Sequence, residues 1–315
     1  MNSYLNIHII NQYDNFDESL LMAVIKRVSP VPVVFDLTSA PQLEIRGPLV
    51  AKKNLGRRVV RRMLGERVEH SFYQRSGTQT KVILYHTEEN TRYNAEPCDF
   101  SISSDLSVGV ETHFRMPNWW CSIDWSKVGV EHRQSPRISK LIKLETLLRP
   151  LGEGTLQRQW KAAIFASHLA EPRGTLFREL SSVIEIDGYG KAFNENIESH
   201  NNSGIFKDEM LTKYAFSLCP ENSMYPGYYT EKVPEAFACG CIPIGWADQN
   251  IRGDFNKEAF INLGDYGVSG YGSGFREQLN PRILHGLVST PLLDRVPDIE
   301  GFVRFVERVV ARALR

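Results

Sequence analysis

The chain lacks most of the short signatures that announce a function outright. No run of about twenty apolar residues occurs, so a membrane-spanning helix is not expected. There is no G-x-x-x-x-G-K-[ST] loop. The glycines of residues 270–274 (GYGSG) do not follow a strand in the manner of a dinucleotide fingerprint, so a surface loop is expected there. No G-x-S-x-G elbow is present. The 8 histidines show no zinc-ligand spacing. No Asp-x-Asp pair occurs, which weakens any mechanism that needs a metal at such a pair to hold a nucleotide diphosphate. Charge of one sign is also missing: Lys plus Arg and Asp plus Glu stand at 37 each, against a general nucleic-acid binder. Cysteine is scarce. Cys98, Cys121, Cys219, Cys239 and Cys241 contain no C-x-x-C pair, which fits reduced thiols in a cytosolic protein. Cys239 and Cys241, flanking Gly240, read as buried thiols. The opening MNSYLNIHIINQYD has no basic start, long apolar core or small-residue cleavage site, so a secretory leader is not expected.

What is present is length and alternation. The 315 residues, 42% of them apolar, allow two domains of ordinary size. Strands are predicted over 4–10, 31–37, 81–86 and 98–104, with helices over 17–28 and 51–70. An aromatic, irregular stretch covers 105–135, and a helix is predicted over 137–149. Pro150, Gly152 and Gly154 then interrupt the pattern and mark a domain boundary. Beyond it strands are predicted over 162–167, 183–186, 214–218, 242–246 and 259–263. Helices are predicted over 173–180, 230–238, 274–286 and 298–314. The fold class is therefore α/β, with two Rossmann-like domains (1–150 and 151–315) and a cleft between them as the default ligand site.

Residues 216–246, FSLCPENSMYPGYYTEKVPEAFACGCIPIGW, are the richest in chemistry. They read as strand, polar loop, helix, tight turn and strand. A helix opening beside a strand end is where an α/β protein holds phosphate. Thr230 is placed to cap the helix, with Glu231 and Lys232 in its first turn. A first-turn lysine opposes the helix dipole and becomes sensible where an anion sits. The plainer reading is a capped helix with a solvated Glu-Lys pair. His86, at a strand end, reads as structural.

The run ENSMYPGYYTEKVPEAFACGCIPIGW resembles the signature of the α1,3/1,4-fucosyltransferases, glycosyltransferase family 10. Its E-N-S, aromatic-glycine loop, Y-x-T-E-K and I-P-I strand occur in the family's order. DFN (254–256), FINLGDY (260–266), FASHLAEPRGTLFREL (165–180), ILYHTEEN, CDFSIS and HFRMPNWW are similar to further family segments, so the likeness spans roughly residues 81–266. It implies a GT-B fold, with residues 1–150 binding an acceptor and 151–315 binding GDP-fucose. It implies inverting transfer of L-fucose to a sugar hydroxyl, and a member of bacterial type. Lys232 and Arg173 match the residues that meet the donor phosphates, where a guanidinium suits phosphate geometry. Glu231 matches the glutamate that bonds donor sugar hydroxyls, and Asn222 and Tyr228 match loop residues at the donor. Tyr229 sits where the family varies. Glu89 aligns with the proposed general base, with Glu88 as its neighbouring competitor.

No cofactor is implied beyond the substrate GDP-fucose, and a divalent metal is not expected. The acceptor implied is an oligosaccharide or lipid-linked glycan. An N-acetyllactosamine-type or surface-polysaccharide precursor fits, with an α1,3 link to GlcNAc or Glc. The location implied is cytoplasmic. The basic run 52–67 fits either a solvated helix face or peripheral contact with the inner face of an anionic membrane. Trp119 and Trp120 could stack on an acceptor sugar or pack the irregular stretch onto the N-terminal sheet. Two rivals remain: a GT-B glycosyltransferase using another nucleotide sugar, and a non-catalytic nucleotide-sugar or glycan-binding protein.

Overall fold

The computed structural model describes residues 3–13, 15–48, 81–88, 90–133, 138, 140–193 and 205–315. The helix expected over 51–70, the basic run within it and Glu89 lie outside the described residues. The chain forms two compact α/β units. One draws on Met1–Pro117, Trp125–Gln134 and Asp298–Arg315, the other on Asn118–Asp124 and Ser135–Pro297. The chain thus changes unit after residues 117, 124, 134 and 297 rather than once near 150.

The first unit is built from β1 (Leu5–Ile10), α1 (Leu20–Val28), β2 (Val33–Val34), β3 (Leu43–Arg46), β4 (Val82–His86), β5 (Phe100–Ser103) and β6 (His113–Arg115). Its sheet runs β2-β1-β3-β4-β5-β6 with every pairing parallel. Side chains alternate between the two faces of a strand; by register Leu5, Ile7, Leu43, Ile45, Val82, Leu84 and Ile102 share one buried apolar face, while the other face buries Asn6, His8, Glu44, Tyr85, Ser101 and Ser103. Ser19 caps α1 by accepting from the Met22 N–H at 3.2 Å. The strand expected over 31–37 shrinks to Val33–Val34, because Pro30 and Pro32 beside it supply no N–H to a ladder.

The C-terminal helix, Ile299–Leu314, belongs to this first unit. Phe302, Phe305, Val306, Val309, Val310 and Ala313 recur at helical spacing and are buried. Phe302 meets Phe114 at 5.3 Å, and Phe305 meets Phe100 at 6.0 Å. Asp298 starts the helix by accepting from the Gly301 N–H at 2.8 Å. Gly47, just past β3, is required by a close approach: a Cβ there would lie 2.3 Å from the Asn11 carbonyl oxygen. That approach brings the loop after β1 against the ends of β3 and β4.

The second unit contains β7 (Ile123–Asp124), β8 (Ile142–Lys143), α2 (Leu144–Leu147), β9 (Gln159–Phe165), α3 (Arg173–Ser181), β10 (Ile186–Tyr189), α4 (Ile205–Leu211), β11 (Tyr214–Pro220), α5 (Lys232–Ala238), β12 (Ile242–Trp246), β13 (Ile261–Asn262), α6 (Tyr271–Gln278) and α7 (Pro281–Ser289). Its main sheet runs β10-β9-β11-β12-β13, all parallel. Relative to chain order the winding reverses between β9 and β11. In doubly wound sheets the crevice beyond the strand ends at such a point is where ligands bind.

Two helix expectations are corrected here. Among the described residues of 137–149 the helix is limited to the short α2, because Ile142–Lys143 pairs as a strand with Ile123–Asp124. The helix expected over 274–286 is two helices. Asn280 accepts from the Arg282 N–H at 2.9 Å and starts a new helix with Pro281 in its first turn.

Candidate functional site

The loops that follow β9 and β11 bring together most of the donor-side residues singled out in the sequence. Arg173 opens α3 and is only 8% exposed. Its Nη2 donates to the Asn222 side-chain oxygen, and its Nη1 lies 3.3 Å from His168 Nε2. Neither partner is a carboxylate. Among the described residues no carboxylate lies within ion-pair distance of this guanidinium. A buried cation without a counterion is costly, and an anionic ligand is the chemistry that would offset it.

Lys232 is differently placed. Its ammonium donates to Glu221 Oε2 at 3.0 Å and to Thr230 Oγ1 at 2.7 Å. Glu221, 1% exposed, also accepts from the Thr230 N–H and the Thr230 hydroxyl, each at 2.8 Å. Burial works to lower the Lys232 pKa, but the Glu221 and Glu231 carboxylates reverse this and the net shift is upward. The lysine is therefore a firm cation. It has three donor hydrogens, of which Glu221 and Thr230 take two. The expected helix cap is corrected: α5 begins at Lys232, Glu231 stands at the N-cap position, and the Thr230 hydroxyl serves Glu221 instead. The anion that a first-turn lysine calls for is supplied in part by Glu221 itself.

Behind this pair sits a second one that the sequence did not reveal. Lys207 on α4 donates to Glu235 Oε2 at 2.6 Å, and its Nζ lies 5.8 Å from the centre of the Phe165 ring at the end of β9. Glu235 is fully buried on α5, one turn beyond Glu231. Burial opposes the charge on Lys207, and Glu235 and Glu231 more than restore it, so its pKa is raised.

The aromatic loop is anchored rather than open. Tyr228 is 5% exposed, and its N–H closes a turn onto the Tyr225 carbonyl at 3.0 Å. Tyr229 is fully buried, and its hydroxyl donates to Asp248 Oδ2 at 2.9 Å. The Tyr229 carbonyl accepts from the Trp119 N–H at 3.1 Å, and the Trp119 indole N–H donates to Asp254 Oδ2 at 3.0 Å. Trp119 packs on Phe255 at 5.2 Å. Trp119 and Trp120 are both buried, so they serve packing; their stretch joins the second unit rather than the N-terminal sheet.

In the first unit, His86 ends β4 fully buried. Its backbone carbonyl accepts from the Gln12 amide at 3.0 Å, and desolvation pushes its pKa down to about 3, so the ring is neutral. Glu88 accepts from the Tyr13 hydroxyl at 3.0 Å, and its Oε1 lies 3.8 Å from His86 Nε2. The cluster sits at the C-terminal edge of the first sheet, immediately before Glu89 in sequence. Among the described residues no group of three His, Cys, Asp or Glu side chains is placed to hold a metal ion, and no helix is long and apolar enough to cross a membrane. All five cysteines are free thiols; Cys241 is buried and Cys239 half-buried.

Comparison with known proteins bears on the same region. Residues 156–270 match the profile described as glycosyltransferase family 10 (fucosyltransferase) C-term, which bears out the resemblance read from the sequence over that stretch. The chain is 26% identical over 199 residues to the alpha-(1,3)-fucosyltransferase FucT of Helicobacter pylori, covering 58% of this chain and 41% of that protein. It is 34% identical over 92 residues to the human 4-galactosyl-N-acetylglucosaminide 3-alpha-L-fucosyltransferase 9, covering 29% of this chain and 24% of the relative. The chain thus spans less than half the length of these curated relatives. Two crystal structures of an alpha1,3-fucosyltransferase align over nearly the whole chain. The one with GDP-fucose covers 98% of this chain and 91% of its own, with a TM-score of 0.68 and 18% identity. The one with GDP covers 99% and 92%, with a TM-score of 0.67 and 18% identity. The likeness is one of fold, and two Rossmann-like α/β units place the chain in the GT-B class.

Proposed function

We propose that this chain, whose residues 156–270 carry the C-terminal domain of glycosyltransferase family 10, is an inverting α1,3-fucosyltransferase that uses GDP-fucose. The observation that carries the proposal is Arg173: a buried cation at the switch point of a doubly wound sheet, beside Lys232, with no carboxylate partner among the described residues. A diphosphate brings the missing charge in bidentate form. The fold shared with structures solved with GDP and GDP-fucose supports the choice of donor.

In this reading the second unit holds the donor and the first holds the acceptor. Arg173 and Lys232 meet the pyrophosphate, Asn222 and Tyr228 line the nucleotide sugar, and Glu231 bonds fucose hydroxyls. The acceptor oxygen forms a bond to the anomeric carbon on the face opposite GDP. The carbon–oxygen bond to the β-phosphate breaks and its electron pair stays on the phosphate. The acceptor proton passes to Glu89. Charge that grows on the leaving phosphate is met by the two cations, which serve without a metal. The acceptor is a lipid-linked or free oligosaccharide of N-acetyllactosamine or surface-polysaccharide type. The five free thiols support a cytoplasmic setting.

The test is a panel of nucleotide sugars with a small glycan array, run with and without chelator. Fucose transfer from GDP-fucose, unchanged by chelator, is the expected result. Turnover of another nucleotide sugar with GDP-fucose inert would sink the donor assignment, and nucleotide binding without any turnover would favour a binding protein.

A further inference from the structure

We propose that His168 is a third ligand for the bound anion, donating from Nε2 to the same phosphate oxygen that Arg173 meets; this rests on the nucleoside-diphosphate reading of the site. The argument comes from the two contacts of the imidazole. The Ala170 N–H points at Nδ1 from 3.3 Å, and Arg173 Nη1 lies 3.3 Å from Nε2. A neutral imidazole offers one acceptor nitrogen and one N–H, whereas a backbone N–H and a guanidinium are donors only. One ring cannot accept from both. With Nδ1 accepting from Ala170, the hydrogen sits on Nε2 and faces a second donor. With the hydrogen on Nδ1, it faces the Ala170 N–H instead. Each tautomer leaves two donors opposed.

An acceptor oxygen entering beside Nε2 removes the conflict, because it takes hydrogen bonds from Nε2–H and from Arg173 Nη1 together. The surroundings favour this outcome. Asn222 holds Nη2 of the same guanidinium, which fixes the edge that carries Nη1. Arg173 has no carboxylate within ion-pair distance among the described residues to fill the gap. His168 follows the end of β9 and is exposed, so it can reach an incoming ligand. The ligand chemistry that fits two convergent donors beside Lys232 is a phosphate oxygen of a nucleoside diphosphate.

Calorimetric titration of GDP into wild type, His168→Phe, His168→Gln and Arg173→Met tests this, together with long-range 1H–15N spectra of the histidine rings. His168→Phe should weaken GDP roughly ten-fold, the loss of one charge-assisted bond. His168→Gln, which restores an N–H donor, should recover to within about three-fold of wild type. The spectra should show the hydrogen on Nε2, with that signal moving when GDP binds. Wild-type affinity in His168→Phe, with binding lost in Arg173→Met, would overturn the role of His168 and leave the donor site standing. Wild-type affinity in Arg173→Met would overturn the donor site and this proposal with it. A hydrogen on Nδ1 in both free and GDP-bound protein would overturn the proposed contact alone.

Discussion

Replacing Arg173 by methionine separates a functional cation from a structural one. Arg173 is 8% exposed, and among the described residues its guanidinium is bonded only to His168 and Asn222. Removing it relieves a buried charge that no carboxylate among the described residues offsets, and methionine fills much of the same volume. Stability of the free protein should therefore change by no more than about 1 kcal/mol in either direction. Donor use should collapse. Losing a charge-assisted contact to a phosphate costs on the order of 3 kcal/mol, or roughly a hundred-fold in kcat/KM or in GDP affinity. Thermal melting reads both effects at once. GDP at a hundred times the wild-type Kd should stabilise the wild type by about 2.7 kcal/mol. The same concentration equals the Kd of the variant and contributes about 0.4 kcal/mol. At about 2–4 °C per kcal/mol for a unit of this size, wild type should rise roughly 5–10 °C and the variant about 1–2 °C. A variant that melts much earlier without ligand yet keeps the full GDP shift would show that Arg173 is structural and would refute the reasoning.

Glu235→Ala leaves the half-buried Lys207 without its ion pair and should cost about 3 kcal/mol, while Lys207→Met with Glu235→Leu should recover to within about 1 kcal/mol of wild type by denaturant titration. His86 gives a pH signature. Its folded pKa of about 3 lies below its unfolded value, so its contribution is complete above about pH 6.5 and is lost as pH falls toward 3. Wild type should lose about 2 kcal/mol between pH 7 and 5 from this group, and His86→Gln should flatten that part of the profile. Glu89→Gln should reduce transfer by roughly a hundred-fold or more and leave GDP affinity intact. Glu88→Gln, which can still accept from Tyr13, should cost less than about ten-fold. The reverse ranking would move the base by one residue.

What the sequence revealed and what it hid follow from how local each signal is. VILYH of β4 and IPIGW of β12 are apolar runs that need no partner to be recognised as strands. LEIR of β3 escaped notice because Glu44 and Arg46 interrupt it; the two bond each other, which makes a charged strand tolerable at the centre of a sheet. The run LIKLETLL satisfies helix and strand spacing alike, and its pairing with Ile123–Asp124 is a contact that no window around residue 142 contains. The site divides in the same way. Arg173, Asn222, Tyr228, Glu231 and Lys232 were legible as a motif. Their partners were not: Glu221 lies 11 residues from Lys232, Glu235 lies 28 from Lys207, and His168 came within reach of Arg173 only once the turn after β9 was seen.

Those partners rank the cations by what a ligand can gain from each. Lys207 is held by a fully buried Glu235 and over the Phe165 ring, so drawing it toward a phosphate would break its ion pair with that buried carboxylate. Lys232 is shared rather than held. Glu221 keeps the N–H and the hydroxyl of Thr230 when the ammonium turns away, so the lysine can move to an anion without leaving Glu221 unsatisfied. Among the described residues Arg173 has no ion pair to surrender. The contribution to phosphate binding should therefore fall in the order Arg173, Lys232, Lys207. Lys207→Met should act on stability, through the loss of its ion pair with Glu235, far more than on GDP affinity. A GDP titration in which Lys207→Met weakened binding as much as Arg173→Met would mean that Lys207 leaves Glu235 for the ligand, and the ranking by counterion would fail.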